Sequence, residues 1–196
     1  MKKILAIITF ALIGLVVTKN EETKHHIVQH NTQKVTVVKM PTKTTKVVVK
    51  EIHKHDPKVD KIVKFMLSVN HKLSKDEAIM IAKTFIRVSK QENVPLQLLL
   101  AIAYQESHFK PYIINKYECV GLMQINRKVW VPDLPTSFLI NPVHNIEIGA
   151  AILRHYYEKT GNWEEAIKSY YGRSKFADRV YYPSVRRKIM LVKAHL

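Results

Sequence analysis

The stretch that decides the fold is LLLAIAYQESHF, residues 98–109 of this 196-residue chain. Six consecutive apolar residues, from Leu98 to Ala103, predict a helix that is buried on most of its surface. Glu106 follows them and is expected to project from the C-terminal end of that helix. Desolvation and the negative end of the helix dipole both raise the pKa of a carboxyl. The stretch therefore makes Glu106 a candidate for a glutamate that remains protonated near neutral pH, as a general acid must; a solvated surface residue is the alternative.

The sequence on both sides of this stretch predicts more helices. An apolar stripe between Ile62 and Val69 indicates one of them. Ser74 and Glu77 stand at the spacing of a capping box and open a second, which fades near Gln91. Caps and glycines predict three later helices, and no segment has the alternation of a clear strand. We therefore expect an all-α domain over residues 57–196, with its later helices at Asn141–Lys159, Asn162–Tyr171 and Ser184–Ala194.

The N-terminus has the pattern of an export signal. Lys2 and Lys3 precede an apolar run from Ile4 to Val17, which is shorter than the roughly 20 residues of a full membrane span. No small-x-small cleavage site follows, so an uncleaved anchor is favoured over a cleaved signal, and both over a buried helix. Residues 1–19 are thus predicted to be a signal peptide or transmembrane anchor. Residues 4–18 would contact the membrane and the remainder would be exported to the cell envelope.

Residues 20–56 have a different composition. Between Asn31 and Lys50, sixteen of twenty residues are Thr, Lys or Val. This favours a basic linker, with an edge strand as the alternative. The histidines here are not expected to bind metal because no ordered scaffold fixes them. We expect neither metal nor cofactor anywhere in the chain.

The chain is strongly basic. Its formal charge is +16, from 32 Lys and Arg against 16 Asp and Glu, and +10 of this falls on residues 57–196. Such a balance predicts attraction to a polyanion, whether nucleic acid, acidic lipid or cell-wall polymer. No nucleic-acid motif accompanies it, so nucleic acid is not an expected partner. Cys119 is the single cysteine, which excludes an intramolecular disulfide.

Several motifs follow Glu106-Ser107 in a fixed order. They are Gly121-Leu122-Met123-Gln124, then Asn141-Pro142 with Asn145-Ile146, then Ala166 to Gly172. This order and spacing resemble the soluble lytic transglycosylase (SLT) family, which is related to goose-type lysozyme. The resemblance covers residues 85–175 and implies a lysozyme-like helical domain. The chain departs from the family pattern at Tyr171, where the family has asparagine.

The resemblance implies roles for particular residues. Glu106 would be the general acid and then the base, and Ser107 would begin the groove wall beside it. Tyr170 would lie near the Glu106 carboxyl and orient it through a hydroxyl hydrogen bond. Core packing is the alternative for Met123 and Tyr170, and a helix C-cap is the alternative for Ser107. The residues implied to line the saccharide site are Gly121, Leu122, Met123 and Gln124.

The resemblance also implies a reaction. A peptidoglycan lytic transglycosylase uses one carboxyl to cleave the β-1,4 bond between N-acetylmuramic acid (MurNAc) and N-acetylglucosamine (GlcNAc), leaving a 1,6-anhydromuramyl end. Glu118, Asp133 and Glu147 are candidates for a second carboxyl, but none sits in a matching motif, and each is expected at the surface. A hydrolytic muramidase and a non-catalytic peptidoglycan-binding domain remain alternatives.

The sequence leaves three biological settings as alternatives: wall opening for a secretion or conjugation apparatus, cell-wall turnover, and phage entry or release. Secretion, conjugation or phage assembly proteins would accordingly be the partners. Small size and a predicted N-terminal tether favour local cell-wall opening or remodelling.

Overall fold

The computed structural model describes residues 56–196. The signal or anchor predicted at residues 1–19 lies outside this part, as does all but the last residue of the predicted linker. Within residues 56–196, no helix is both long enough and apolar enough to cross a membrane.

Helices dominate the described residues, as the sequence predicted, and the all-α fold class is confirmed. Two strands and a π-helical turn complete residues 56–196. In order, the elements are α1 (Pro57–Val69), α2 (Lys75–Gln91), α3 (Leu96–Ser107), β1 (Cys119–Val120), β2 (Ile125–Asn126), α4 (Arg127–Trp130), α5 (Thr136–Leu139), α6 (Pro142–Thr160), α7 (Trp163–Tyr171), the π-helix π1 (Ala177–Tyr181) and α8 (Tyr182–His195).

Side-chain caps mark the starts of several helices, although the central helix α3 begins after Pro95 without one. The Ser74 hydroxyl accepts a hydrogen bond from the backbone N–H of Glu77 at 3.2 Å, as the capping-box spacing predicted. Asn141 caps α6 by accepting from the N–H of Val143 at 2.9 Å. Such caps satisfy backbone donors that have no partner inside the helix.

Helix α3 forms the centre of the core. Leu99, Leu100, Ala101, Ile102 and Ala103 are fully buried, so nearly the whole circumference of α3 is covered by protein. It packs against α2 and α8, and α6 packs against α2 and α7. This burial is what the apolar run predicted. It also means that the end of α3 lies where several elements meet.

Between α3 and α4 the chain forms a small antiparallel hairpin. Cys119 pairs with Asn126 and Val120 with Ile125. The expectation that there would be no strand is wrong at this point, because two-residue strands are too short to show an alternating pattern. The sequence also gave no sign of the single-turn helices α4 and α5. Nor did it indicate π1, which precedes a last helix that starts at Tyr182 and not at Ser184.

Candidate active site

Glu106 lies in the last turn of α3. The helix ends because His108 takes the left-handed conformation, with φ of 54°, and Phe109 follows with φ of 57°. The side chain of Glu106 is half-buried. Burial raises the pKa of Glu106 to about 7, and a hydrogen bond from Tyr181 opposes part of that rise. At neutral pH the carboxyl is therefore divided between its acid and carboxylate forms.

Tyr181 is the direct partner of this carboxyl. Its hydroxyl donates a hydrogen bond to Oε1 of Glu106, and its side chain is only 3% exposed. Tyr181 is the last residue of π1. A π-helical turn holds an extra residue and shifts the phase of the side chains that follow. Tyr181 could not be predicted from the sequence, because an ordinary helical period does not show which of Tyr181 and Tyr182 faces the core.

Tyr170 does not make the hydrogen bond expected of it. Its hydroxyl donates to the backbone carbonyl of Met123 at 2.8 Å, so the predicted hydrogen bond to Glu106 is wrong. Tyr170 is nevertheless close to the site. Burial first, and then the charge of Glu106, raise the pKa of the Tyr170 hydroxyl well above its ordinary value. Tyr170 thus ties α7 to the turn after β1, while Tyr181 contacts the carboxyl itself.

The turn Gly121–Gln124 joins β1 to β2. Gly121 is buried, and the side chains of Leu122 and Met123 are fully buried. All four residues of this turn were expected to line the saccharide site. The side chains of Leu122 and Met123 pack into the core, and the lining role of the turn stays a prediction. Met123 lies against α6 at Gly149, where an added Cβ would come within 2.5 Å of the methionine sulfur.

Asn145 holds this turn from α6. The buried Asn145 side chain accepts from the N–H of Met123 at 2.8 Å. Its amide nitrogen donates to the carbonyl oxygens of Val120 and Leu139, at 2.9 and 3.0 Å. One side chain therefore joins the hairpin, α5 and α6. The asparagine of the Asn145-Ile146 motif thus shapes this turn.

Gln124 closes the turn. It has a positive φ of 46°, and its amide nitrogen donates to the carbonyl of Gly121 at 3.0 Å. The side chain is half-buried, so it is the member of this motif that reaches the surface.

Ser107 is the last residue of α3 and is buried, with 2% of its surface exposed. Its hydroxyl donates to the carbonyl of Ala103 within the same helix at 3.0 Å. The expected place in a groove wall is therefore wrong, because the side chain faces the protein. The C-cap position belongs to His108, so the alternative reading as a C-cap does not hold either.

The three other carboxylates considered from sequence have surroundings unlike those of Glu106. Glu118 pairs with Arg127 at 2.9 Å and with Lys128 at 3.0 Å, and these hydrogen-bonded cations lower its pKa. Glu147 pairs with Arg87 at 2.7 Å. Asp133 is exposed. They lie at the surface, as expected.

Tyr171 is the position at which the sequence departs from the pattern of the family that it resembles. Its ring lies against that of Tyr181, tilted by 31° with centroids 4.5 Å apart, and stacks on that of Phe176 at 5.3 Å. The outer two rings are open to solvent, with Tyr171 47% and Phe176 50% exposed. We call Tyr181, Tyr171 and Phe176 the aromatic stack. It runs from the Glu106 carboxyl to the surface.

Residues 56–196 contain no group of three or more His, Cys, Asp or Glu side chains arranged to hold a metal ion.

Comparison with known proteins identifies the family. The sequence profile described as the Transglycosylase SLT domain matches residues 83–182, just over half of the chain. Among solved structures, the chain is similar to a complex of the 70-kDa soluble lytic transglycosylase with bulgecin A, with a TM-score of 0.45 and 19% identity. That match covers 71% of this chain and 26% of the other, so this chain spans about a quarter of that protein. The profile match includes Glu106, the Gly121–Gln124 turn and Tyr181, and this chain belongs to the transglycosylase SLT domain family.

Proposed function

We propose that this chain is a peptidoglycan lytic transglycosylase that cleaves the β-1,4 bond between MurNAc and GlcNAc. Membership of the transglycosylase SLT domain family supports action on peptidoglycan. One observation supports the more specific proposal that this bond is cleaved by a single carboxyl. Glu106 is a half-buried carboxyl whose pKa is raised to about 7 at the end of the central helix. A carboxyl with this pKa can give up a proton and take one back near neutral pH.

In the first step the protonated Glu106 acts as the general acid. Its proton passes to the oxygen that links the two sugars, and the bond from C1 of MurNAc to that oxygen breaks. GlcNAc leaves with a free 4-hydroxyl. The N-acetyl oxygen of MurNAc can stabilise the positive charge that develops at C1, so no second carboxylate is required for that task.

In the second step the carboxylate of Glu106 acts as the base. It removes the proton from the 6-hydroxyl of MurNAc, and O6 forms the new bond to C1. The product is a 1,6-anhydromuramyl end, and Glu106 is protonated again. No water is consumed.

The pKa of Glu106 reflects two opposing influences that suit both steps. Burial favours the neutral acid needed for the first step, because an ionised carboxyl loses hydration there. The hydrogen bond donated by Tyr181 favours the carboxylate needed for the second step. We propose that Tyr181 orients the carboxyl and keeps its pKa from rising further.

The surroundings of the other carboxylates support transfer within the sugar over hydrolysis by two carboxyls. Ordinary glycosidases place two carboxyl groups on opposite sides of the bond that they cleave. Glu118 and Glu147 are instead held in surface ion pairs with arginine and lysine. An internal nucleophile then takes the place of a water molecule positioned by a second carboxylate.

The substrate implies that the protein acts in the cell envelope. We propose local opening or remodelling of the wall, with export directed by residues 1–19. The positive charge of +10 on residues 57–196 suits an anionic wall or membrane surface.

The proposed function is tested by mass spectrometry of purified peptidoglycan after digestion. Wild-type protein is expected to release fragments with anhydro ends. Glu106→Gln is expected to lower the rate by roughly 1000-fold, within the range for losing a general acid and base. Reducing ends would instead establish hydrolysis. Absence of any released fragment with the wild-type protein would contradict the enzyme assignment and leave a binding domain.

Glu147→Gln is the matched control for this experiment. It removes one carboxylate of the same type from a surface ion pair with Arg87. Exposed pairs contribute little to stability, typically about 0–1 kcal/mol, so the variant is expected to fold and to cleave at the wild-type rate.

A further inference from the structure

The outer part of the aromatic stack has no role in the reaction steps above. The Tyr171 ring covers one side of Tyr181, and the Phe176 ring continues the stack at a shallow angle of 29°. Both outer rings are about half exposed. The apolar surface thus begins at the residue that binds the carboxyl of Glu106 and continues outward from it.

The segment that carries these rings is fastened at both ends. Arg173 forms an ion pair with Glu165 on α7. Lys168, on the same helix, contacts Asp178 in π1 at 3.4 Å and Glu164 at 2.7 Å. These links join the start and the end of the connection between α7 and π1. Exposed ion pairs of this kind contribute little by themselves, but the Tyr171 ring also packs against the buried Tyr181 ring, and the Phe176 ring packs against Tyr171. Together these contacts give the two exposed rings a defined arrangement before any ligand arrives, which lowers the entropy lost on binding.

Rings held in this way suit a sugar. One face of a pyranose presents mainly C–H groups, which pack against the flat face of an aromatic ring, while the sugar hydroxyls stay in water. Tyrosine and phenylalanine provide large, rigid contact areas, and the tyrosine hydroxyl can remain hydrated. Two half-exposed rings offer far less than the roughly 800 Å² that each partner contributes to a stable protein interface. The size of the patch therefore favours a saccharide over a protein partner.

We propose that Tyr171 and Phe176 form a saccharide-stacking platform that binds a pyranose ring of the glycan strand beside the bond to be cleaved. This inference rests on the proposed function, since it takes the glycan strand as the ligand of the site. It assigns a binding role to the position where this chain has tyrosine and the family has asparagine. Tyr171 becomes a residue that determines how strongly the strand is held.

The test measures binding separately from cleavage. Glu106→Gln protein is titrated with a soluble β-1,4-linked GlcNAc hexamer and, in a second assay, pelleted with purified peptidoglycan. Adding Tyr171→Ala is expected to weaken both interactions by about fivefold to tenfold, as the loss of one aromatic contact would. Tyr171→Phe keeps the ring and is expected to bind as tightly as the parent. Phe176→Ala is a second, independent loss of a ring and is expected to weaken binding by a smaller factor.

Tyr157→Ala is the matched control, because Tyr157 stacks on Trp163 with centroids 4.1 Å apart in another surface pocket. Pro95 lines that pocket and precedes α3, whereas Glu106 lies near the far end of the same 12-residue helix, about 16 Å away. This control is expected to leave binding of both probes unchanged. Thermal unfolding of each variant establishes that it is folded.

The outcomes separate this inference from the proposed function. Weaker binding in Tyr171→Ala but not in Tyr171→Phe supports the platform, even if no cleavage is found. Unchanged binding in a folded Tyr171→Ala protein overturns the platform and leaves the cleavage proposal as it stands. A pH profile of cleavage that shifts in Tyr171→Ala would also overturn it, because the ring would then act through Tyr181 and Glu106.

Discussion

The Gly121–Gln124 turn and the segment from Tyr171 to Tyr181 both lie near Glu106, but they differ in burial and in the contacts that hold them. The turn carries a motif that the family shares, and its Leu122 and Met123 side chains are fully buried. The segment departs from the family at Tyr171, and its Tyr171 and Phe176 rings are half exposed. One is held by buried hydrogen bonds to Asn145, the other by ion pairs at the surface.

This difference indicates that the two regions have separate roles at the site. The shared motif gives the backbone near Glu106 its shape from the inside, where packing leaves little freedom for substitution. The segment that differs provides the surface that a ligand can touch, together with the tyrosine that binds the carboxyl. A change in the turn should therefore act mainly on stability, and a change in the segment mainly on binding or rate.

Asn145→Ala should give the largest change in stability. It leaves the N–H of Met123 and the carbonyls of Val120 and Leu139 without their buried partner. We expect the free energy of unfolding to fall by about 4 kcal/mol, since each buried group left without a partner costs about 1–3 kcal/mol. Urea denaturation measures this fall in the free energy of unfolding.

The control is Asn141→Ala, which removes only an N-cap of the same helix and should cost about 1 kcal/mol. Equal losses in the two variants would contradict the special role of Asn145.

A pair of glycine substitutions compares the two regions directly. Gly121 has φ of 76°, and an added Cβ would lie 2.4 Å from the Asn145 amide nitrogen. Gly172 has φ of 103°, with no atom within 4 Å of an added Cβ. We expect Gly121→Ala to lower the free energy of unfolding by about 3 kcal/mol, from strain and overpacking together. Gly172→Ala adds backbone strain without overpacking and should lower the free energy of unfolding by about 1 kcal/mol.

Melting temperatures of the two variants provide the comparison. Similar losses at both positions would show that packing around the turn is no tighter than around the segment.

Tyr181→Phe should act on the rate of cleavage and on its pH dependence. The hydroxyl of Tyr181 stabilises the carboxylate of Glu106 and so lowers its pKa, which burial has raised to about 7. Without the hydroxyl the pKa rises further. The fall in cleavage rate at alkaline pH should therefore move to higher pH, with a loss of about tenfold at the optimum from poorer orientation.

The rate of peptidoglycan cleavage against pH checks this expectation. Tyr182→Phe is the control, because Tyr182 interacts with Glu164 and not with the site. A shift of the profile to lower pH in Tyr181→Phe would contradict the assigned role.

The sequence alone was enough for the long helices and for the candidate acid. The apolar run of α3, the Ser74 cap and the Asn141-Pro142 start depend on neighbouring residues, so their patterns are visible along the chain. The raised pKa of Glu106 could be expected for the same reason, since the residues just before it bury the end of the helix. The short strands and π1 could not be predicted, because contacts with distant parts of the chain select them.

Which side chains face the ligand and which face the core was decided only by the tertiary structure. The motifs predicted that Ser107, Leu122 and Met123 line the site, but the packing of α3 and α6 buries their side chains. It also assigned the carboxyl hydrogen bond to Tyr170, whereas the π-helical turn brings Tyr181 to Glu106 across 75 residues of sequence. A motif records the identity and spacing of residues, but the direction of a side chain depends on helical phase and on partners distant in sequence.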